Sequence, residues 1–154
     1  MKKLKRQTGF GLLELMLSMV IVALLLIMAT RYYQSARNNA NVNQAVDLIN
    51  ALNNAASNIA IGNNGSLANI TITSLTPYLP NNSATDPWGG TIAVTSSSAA
   101  SLVVTLPGAS SSCTQVMDAL GSSTPAGVYD TYACNTSTGL AITITTAPTS
   151  GSKP

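Results

Sequence analysis

The sequence predicts an α+β fold, with one long N-terminal helix packed on an antiparallel β-sheet head. Three observations lead there. No Pro or Gly occurs between Leu12 and Ile61, after which Gly62-Asn63-Asn64-Gly65 interrupts the pattern. Beyond that break, short apolar alternations are separated by turn-forming residues, the mark of strands. Charged residues make up only 8% of the chain, against roughly 25% in ordinary soluble domains. The surface of the head is therefore Ser, Thr and Asn rather than charge.

The helix falls into two parts. Phe10 to Thr30 holds a single charge, Glu14. At about 1.5 Å per residue, such a run spans the ~30 Å hydrocarbon core of a bilayer. Past Arg31 the apolar positions are Val42, Ala45, Val46, Ile49, Leu52, Ala56 and Ile59, whose steps of three and four make one stripe. Asparagines fill much of the remaining faces. Asn is a mediocre helix former, so packing must hold this half. The whole helix is predicted to run about 50 residues, ~75 Å, with Gly62 as its C-cap.

In the head, Ser74 to Pro80 reads as a helical turn starting at Ser74, and Asp86-Pro87-Trp88-Gly89-Gly90 as a tight turn, with Trp88 as a core anchor. Thr91–Thr95 and Leu102–Leu106 read as a hairpin, with 96–100 as its loop. Ser112-Cys113-Thr114-Gln115 fits a capping box, followed by a short helix with Val116, Met117 and Leu120 on its apolar face. Val128–Cys134 and Leu140–Thr145 are two further strands. Cys113 and Cys134 are the only cysteines. Behind an export segment they are expected to pair; two free thiols are the alternative.

The N-terminal segment admits four readings. The basic residues Lys2, Lys3, Lys5 and Arg6 precede the apolar run, which leaves the N-terminus cytoplasmic and the rest outside. An ordinary cleaved signal has a shorter apolar core and a small-x-small site, and Ala29, Ser35 and Ala36 make a poor one. A lipoprotein signal requires a cysteine at the end of the run. A plain signal anchor leaves Glu14 unexplained, since a carboxylate inside the membrane costs about 2.5–3.5 kcal/mol on insertion scales.

The fourth reading accounts for Glu14. Gly9-Phe10-Gly11-Leu12-Leu13-Glu14-Leu15 resembles the prepilin processing motif of type IV pilins and their relatives. The resemblance implies cleavage after Gly9, N-methylation of Phe10 as the new N-terminus, and a glutamate at the fifth mature position, which is Glu14. It implies a pilin fold. Asp86-Pro87-Trp88-Gly89-Gly90 running into strands, then a cysteine opening a short helix, looks like type IVb pilins, especially thin-pilus pilins. Tyr78-Leu79-Pro80 followed by that turn also resembles the major pseudopilin of type II secretion. One departure stands out. Many type IVa pilins carry Gly and Pro in the mature N-terminal helix, whereas Ala23 and Arg31 occupy the corresponding positions here.

The expected organisation is a leader at 1–9, a transmembrane and filament-core helix at 10–30, its amphipathic continuation at 31–61, and an α+β head at 62–154. The resemblance implies a structural subunit, not an enzyme: an inner-membrane prepilin, then part of an extracellular pilus for attachment, aggregation, motility or conjugative contact. The alternative is a pseudopilin, and a membrane-anchored periplasmic protein comes third. Implied partners are further copies of the chain, a prepilin peptidase/N-methyltransferase, and an assembly platform with its ATPase. Without the leader, three cations (Arg31, Arg37, Lys153) face five carboxylates, a net of −2 before the termini. Direct nucleic-acid binding by phosphate neutralisation is therefore not expected. The chain has no histidine, so imidazole chemistry is excluded. Asp86, Asp118 and Asp130 are expected to be solvated loop residues rather than a calcium site, and no cofactor or metal is expected.

Overall fold

A computed structural model describes residues 11–121, 131–135 and 137–145. The elements are α1 Leu12–Gly62, α2 Ile72–Leu75, two 3-10 turns (Thr76–Tyr78, Pro80–Asn82), β1 Ala93–Ser97, β2 Ser101–Leu106, a 3-10 turn Pro107–Ser111, α3 Cys113–Gly121, β3 Thr131–Asn135 and β4 Gly139–Thr145. The four strands form one antiparallel sheet in the order β1-β2-β4-β3. The architecture is α+β, a long helix packed on a four-stranded sheet. The chain divides into two compact units, residues 1–37 and 38–154.

In the second unit, α1 buries Val42, Ala45, Leu48, Ile49, Leu52, Ala55, Ala56 and Ala60. The small residues in this stripe let the helix backbone lie close to its neighbours. The sheet answers with period two. Its register sets Leu102 opposite Ile144, Val104 opposite Ile142 and Leu106 opposite Leu140, and all six are buried. Cross-strand apolar pairs of this kind stabilise a sheet locally and fix its register. Ile92, Leu67, Ile70, Leu75 and Leu79 complete the same core.

Several boundaries differ from the sequence reading. Gly62 is not the cap. Asn64 and Gly65 take φ of 55° and 84°, and the Gly65 N–H donates to the Ala60 carbonyl at 2.7 Å. The left-handed pair Asn64-Gly65 closes the helix, because these residue types tolerate positive φ. β1 begins at Ala93 and continues to Ser97, with its register shifting between Val94 and Ser96. The strand thus lies two positions later than the sequence reading placed it, and the extra residue within it bulges an edge of the sheet. Ile92, buried just before it, is held by its N–H on the Ala84 carbonyl at 2.8 Å. α2 starts at Ile72, not Ser74: the Ser74 hydroxyl oxygen instead accepts the Thr71 N–H at 3.0 Å from inside the first turn. Val128 to Asp130, the expected start of β3, lie outside the described residues.

The expected capping box at α3 is replaced by a longer-range contact. The Ser112 hydroxyl donates to Asn38 Oδ1 at 2.9 Å, and Asn38 Nδ2 donates to Gln115 Oε1 at 2.6 Å. One amide on α1 thus spans the first turn of α3.

Asp86 closes the loop between helix and sheet. It is buried, yet its carboxylate meets backbone N–H groups rather than a cation among the described residues. Its Oδ1 accepts the N–H groups of Trp88 at 3.0 Å and Gly90 at 2.7 Å, and its Oδ2 accepts that of Gly108 at 2.7 Å. The first two bonds form the Asp-Pro-Trp-Gly-Gly turn, and the third ties it to the end of β2. A Cβ on Gly108 would collide with both carboxylate oxygens, so that backbone approach requires glycine. Trp88 is half-buried against the core. The aspartate is therefore not the solvated loop residue expected from sequence.

Replacing Asp86 by Ala strands three amide donors at part-buried positions, and each orphaned donor costs about 1–3 kcal/mol. Asp86→Ala is expected to destabilise the head by about 3–5 kcal/mol. Denaturant unfolding of the detergent-solubilised chain measures this. A midpoint equal to that of the unaltered chain would assign the loop no structural weight.

Candidate functional site

The candidate site is the start of α1. Residues 12–30 hold Leu, Met, Val, Ile and Ala on every side, and none of them is buried. Leu13 and Met28 expose 81% and 68% of their surfaces. A helix apolar all round is stable only when covered by lipid or by protein. The 19 residues from Leu12 to Thr30 cover ~28 Å, close to the bilayer core.

Hydroxyls in such a segment need partners within the helix itself, because hydrocarbon offers none. Ser18 Oγ donates to the Leu15 carbonyl at 2.9 Å, and Thr30 Oγ1 to the Ile27 carbonyl at 2.9 Å. The sequence reading passed over both residues. The signal was available, since Ser and Thr inside an apolar helix characteristically bond back to the preceding turn. Their hydroxyls are thus satisfied, and the carboxylate of Glu14 is the one formal charge between Leu12 and Thr30.

Glu14 lies in the first turn of α1. Its N–H donates to the Gly11 carbonyl at 2.9 Å. A carboxylate in the first turn suits the positive end of the helix dipole, which offsets part of its cost in an apolar setting. Gly9 and Phe10, the expected cleavage site and methylated terminus, lie outside the described residues. The chemistry at that end is therefore read from sequence and from the comparison below.

Beyond Thr30, Arg31, Tyr32 and Tyr33 are all exposed. A cation and two amphipathic rings at the end of an apolar helix match the composition of a membrane interface.

Cys113, the first residue of α3, and Cys134, in the edge strand β3, are joined by a disulfide with a Cα–Cα distance of 5.8 Å. Met117 Sδ lies 3.1 Å from the Cys134 sulfur. The bridge connects the short helix to the far edge of the sheet. Cys113 is buried and Cys134 exposed, so the bond is anchored at one end in the core.

An exposed apolar helix with one carboxylate near its start, joined in sequence to an α+β head, is an arrangement that requires lipid or protein to cover the helix. Residues 4–30 match the family model for the prokaryotic N-terminal methylation motif. That motif is the prepilin signature of type IV pilins and pseudopilins, and the α+β architecture behind it is pilin-like. No curated protein and no solved structure gives a significant match.

Cys134→Ser opens a loop whose ends are 21 residues apart in sequence. The chain-entropy account gives about 3 kcal/mol for a loop of that size, within a usual range of ~2–5 kcal/mol. The variant is expected to lower the unfolding midpoint and the steady-state subunit level. Alkylation without reductant should label neither cysteine of the exported protein, and quantitative labelling of both would refute the bond.

Proposed function

We propose that this chain is the structural subunit of a type IV pilus of the type IVb, thin-pilus kind. It is inserted in the inner membrane with its head outside, cleaved after Gly9, methylated at the Phe10 amine, and polymerised through the helix starting at residue 10. The observation that carries the reading is the methylation motif over residues 4–30, continuous with an apolar helix that is exposed on all sides. The division into leader 1–9, filament helix 10–30, amphipathic continuation 31–61 and head 62–154 belongs to the same proposal. So do the peptidase/methyltransferase and the platform ATPase as partners.

Cleavage hydrolyses the Gly9–Phe10 amide and leaves a cationic amine at Phe10. That cation and the Glu14 carboxylate each enter an apolar setting at a cost, and together they neutralise one another. Within one helix, four residues separate them. Between subunits, Glu14 of one copy meeting the Phe10 amine of the next sets an axial step of roughly 6 Å. The pairing between subunits is the one that drives assembly, because it is satisfied only in the filament.

A pseudopilin of type II secretion shares this N-terminus. The Asp86–Gly90 turn, which resembles that of the major pseudopilin, supports this second reading. Long extracellular filaments at native expression separate the pilus from the short periplasmic pseudopilus.

Two outcomes test the proposal. The intact mass of assembled protein is expected to equal residues 10–154 plus one methyl group, with the disulfide formed; a chain beginning at Met1 or after Ala36 excludes it. Glu14→Ala is expected to leave membrane insertion and head folding intact while abolishing filaments. It leaves the Phe10 amine unpaired, and breaking a buried ion pair costs ~3–5 kcal/mol. Electron microscopy beside a membrane blot decides between this and an incidental Glu14, which would give normal filaments.

A further inference from the structure

α1 leaves its apolar span through a short basic and aromatic stretch. Arg31 and Arg37 are both exposed there. No Asp or Glu occurs in sequence between Glu14 and Asp47, and neither arginine has a side-chain partner among the described residues. Leu26, Ala29, Thr30, Tyr33, Gln34 and Arg37 line one groove along this stretch. Spacings of three and four (Leu26, Thr30, Gln34; Ala29, Tyr33, Arg37) place them on one face of the helix. The groove starts apolar and ends polar, and all of it lies within the unit formed by residues 1–37.

Depth along the helix says what this face meets. The span from Leu12 to Thr30 matches the hydrocarbon core, and the polar layer beyond that core is about 5–7 Å thick on each side. At about 1.5 Å per residue, Tyr33 lies ~4–5 Å past Thr30 and Arg37 ~10 Å past it. Cα–Cβ bonds of a helix tilt toward its N-terminus, here toward the bilayer, and a long Arg stem spans the remaining distance. Tyr33, Gln34 and Arg37 therefore converge on the layer that holds lipid phosphates. Charge points the same way. The positive-inside bias disfavours Arg and Lys on the outer side, where a head-outside orientation puts Arg31 and Arg37. A cation kept there needs an anion, and the described chain supplies none. Anionic headgroups do, with an enrichment of roughly fivefold for each cation near the surface. Both residues are Arg rather than Lys, and the planar guanidinium fork bonds two phosphate oxygens at once. The Tyr33 hydroxyl and the Gln34 amide add neutral donors beside it.

We propose that this face binds an anionic glycerophospholipid of the outer leaflet. Arg37 and Arg31 hold the phosphodiester, Tyr33 and Gln34 bond to it and to the adjoining glycerol oxygens, and an acyl chain lies along Leu26 and Ala29. The inference rests on the reading of residues 10–30 as a membrane span with the head outside. The bound lipid supplies the anion that the two arginines lack within the chain, and it fixes the depth at which the helix leaves the bilayer.

Lipid retention by the full-length, disulfide-bonded chain tests the site. The chain is reconstituted with equal amounts of phosphatidylcholine and phosphatidylglycerol, and the lipids it keeps are read by native mass spectrometry. The unaltered chain is expected to retain phosphatidylglycerol over phosphatidylcholine by roughly tenfold or more. Arg31→Gln and Arg37→Gln are each expected to lower that preference about fivefold, and the double variant to abolish it, with the thermal midpoint of the head unchanged. Equal retention of the two lipids by the unaltered chain, or an undiminished preference in the double variant, overturns the proposal. Displacement of the lipid by millimolar inorganic phosphate also overturns it, because the site would then belong to a soluble anion. A chain that does not float with phosphatidylcholine vesicles removes the membrane reading and this proposal with it. A chain that floats but shows no lipid preference removes this proposal alone.

Discussion

Apolar surface on α1 has to be taken out of water, and each half of the helix sets a different requirement. From Val42 to Ala60 the surface lies on one side, in a stripe that includes Ala45, Ala55, Ala56 and Ala60. The head meets it with a sheet whose buried positions, Leu102, Val104, Leu106, Leu140, Ile142 and Ile144, face one way. From Leu12 to Ala29 the surface lies on all sides, and no part of the described chain covers it. One polypeptide thus holds a helix that completes a core and a helix that remains incomplete until lipid or other copies surround it. Its largest apolar surface is unsatisfied by its own fold, and burial of such surface is worth about 25 cal/mol per Å².

The head is held rigid by few but well-placed polar contacts. Asp86 uses its carboxylate where a helix or strand would use backbone carbonyls, collecting the N–H groups of Trp88, Gly90 and Gly108. These bonds fix a loop to the end of β2 without requiring a cation. Asn38 does similar work at the other end, bridging Ser112 and Gln115. The disulfide ties the same helix to the edge strand β3. With 8% charged residues, surface ion pairs are scarce. The chain relies on amides, hydroxyls and one cross-link, interactions that salt screens less than ion pairs.

Much of this was legible in the sequence because it depended on periodicity. The absence of Gly and Pro from Leu12 to Ile61, and the 3–4 spacing of Val42, Ala45, Ile49, Leu52 and Ala56, gave the long helix and its buried side. The apolar run Leu102–Leu106, bounded by turn residues, gave β2 as a strand, but its pairing with β4 was not readable from it. What escaped was decided by contacts distant in sequence. Ser112 and Gln115 have the spacing of a capping box, but Asn38, 74 residues away from Ser112, takes both. Asp86 sits in a turn that composition marks as exposed, and nothing local indicates that Gly108 lies within hydrogen-bond reach. Gly62 looked like the cap because glycine is the commonest left-handed residue. Asn64 is nearly as permissive, so the helix continued to Gly62 and ended on the pair that follows. The prepilin-like start was readable because it is a linear signal, a contiguous run of residues from 4 to 30.

The behaviour of Glu14 links these parts. In a bilayer the carboxylate carries an insertion cost of about 2.5–3.5 kcal/mol, and its position in the first helical turn returns only part of that. The cost falls on the membrane-inserted subunit. Under the proposed function, an assembled state keeps the surroundings apolar but supplies a cation, the amine that cleavage would create at Phe10 of another copy. The two environments are alike in hydrophobicity, so burying Leu, Ile and Val offers little preference for one over the other. The preference has to come from a polar group that one environment satisfies and the other does not. A single carboxylate in an otherwise apolar helix meets that requirement. A second glutamate in the span would raise the insertion cost without a second amine to meet it.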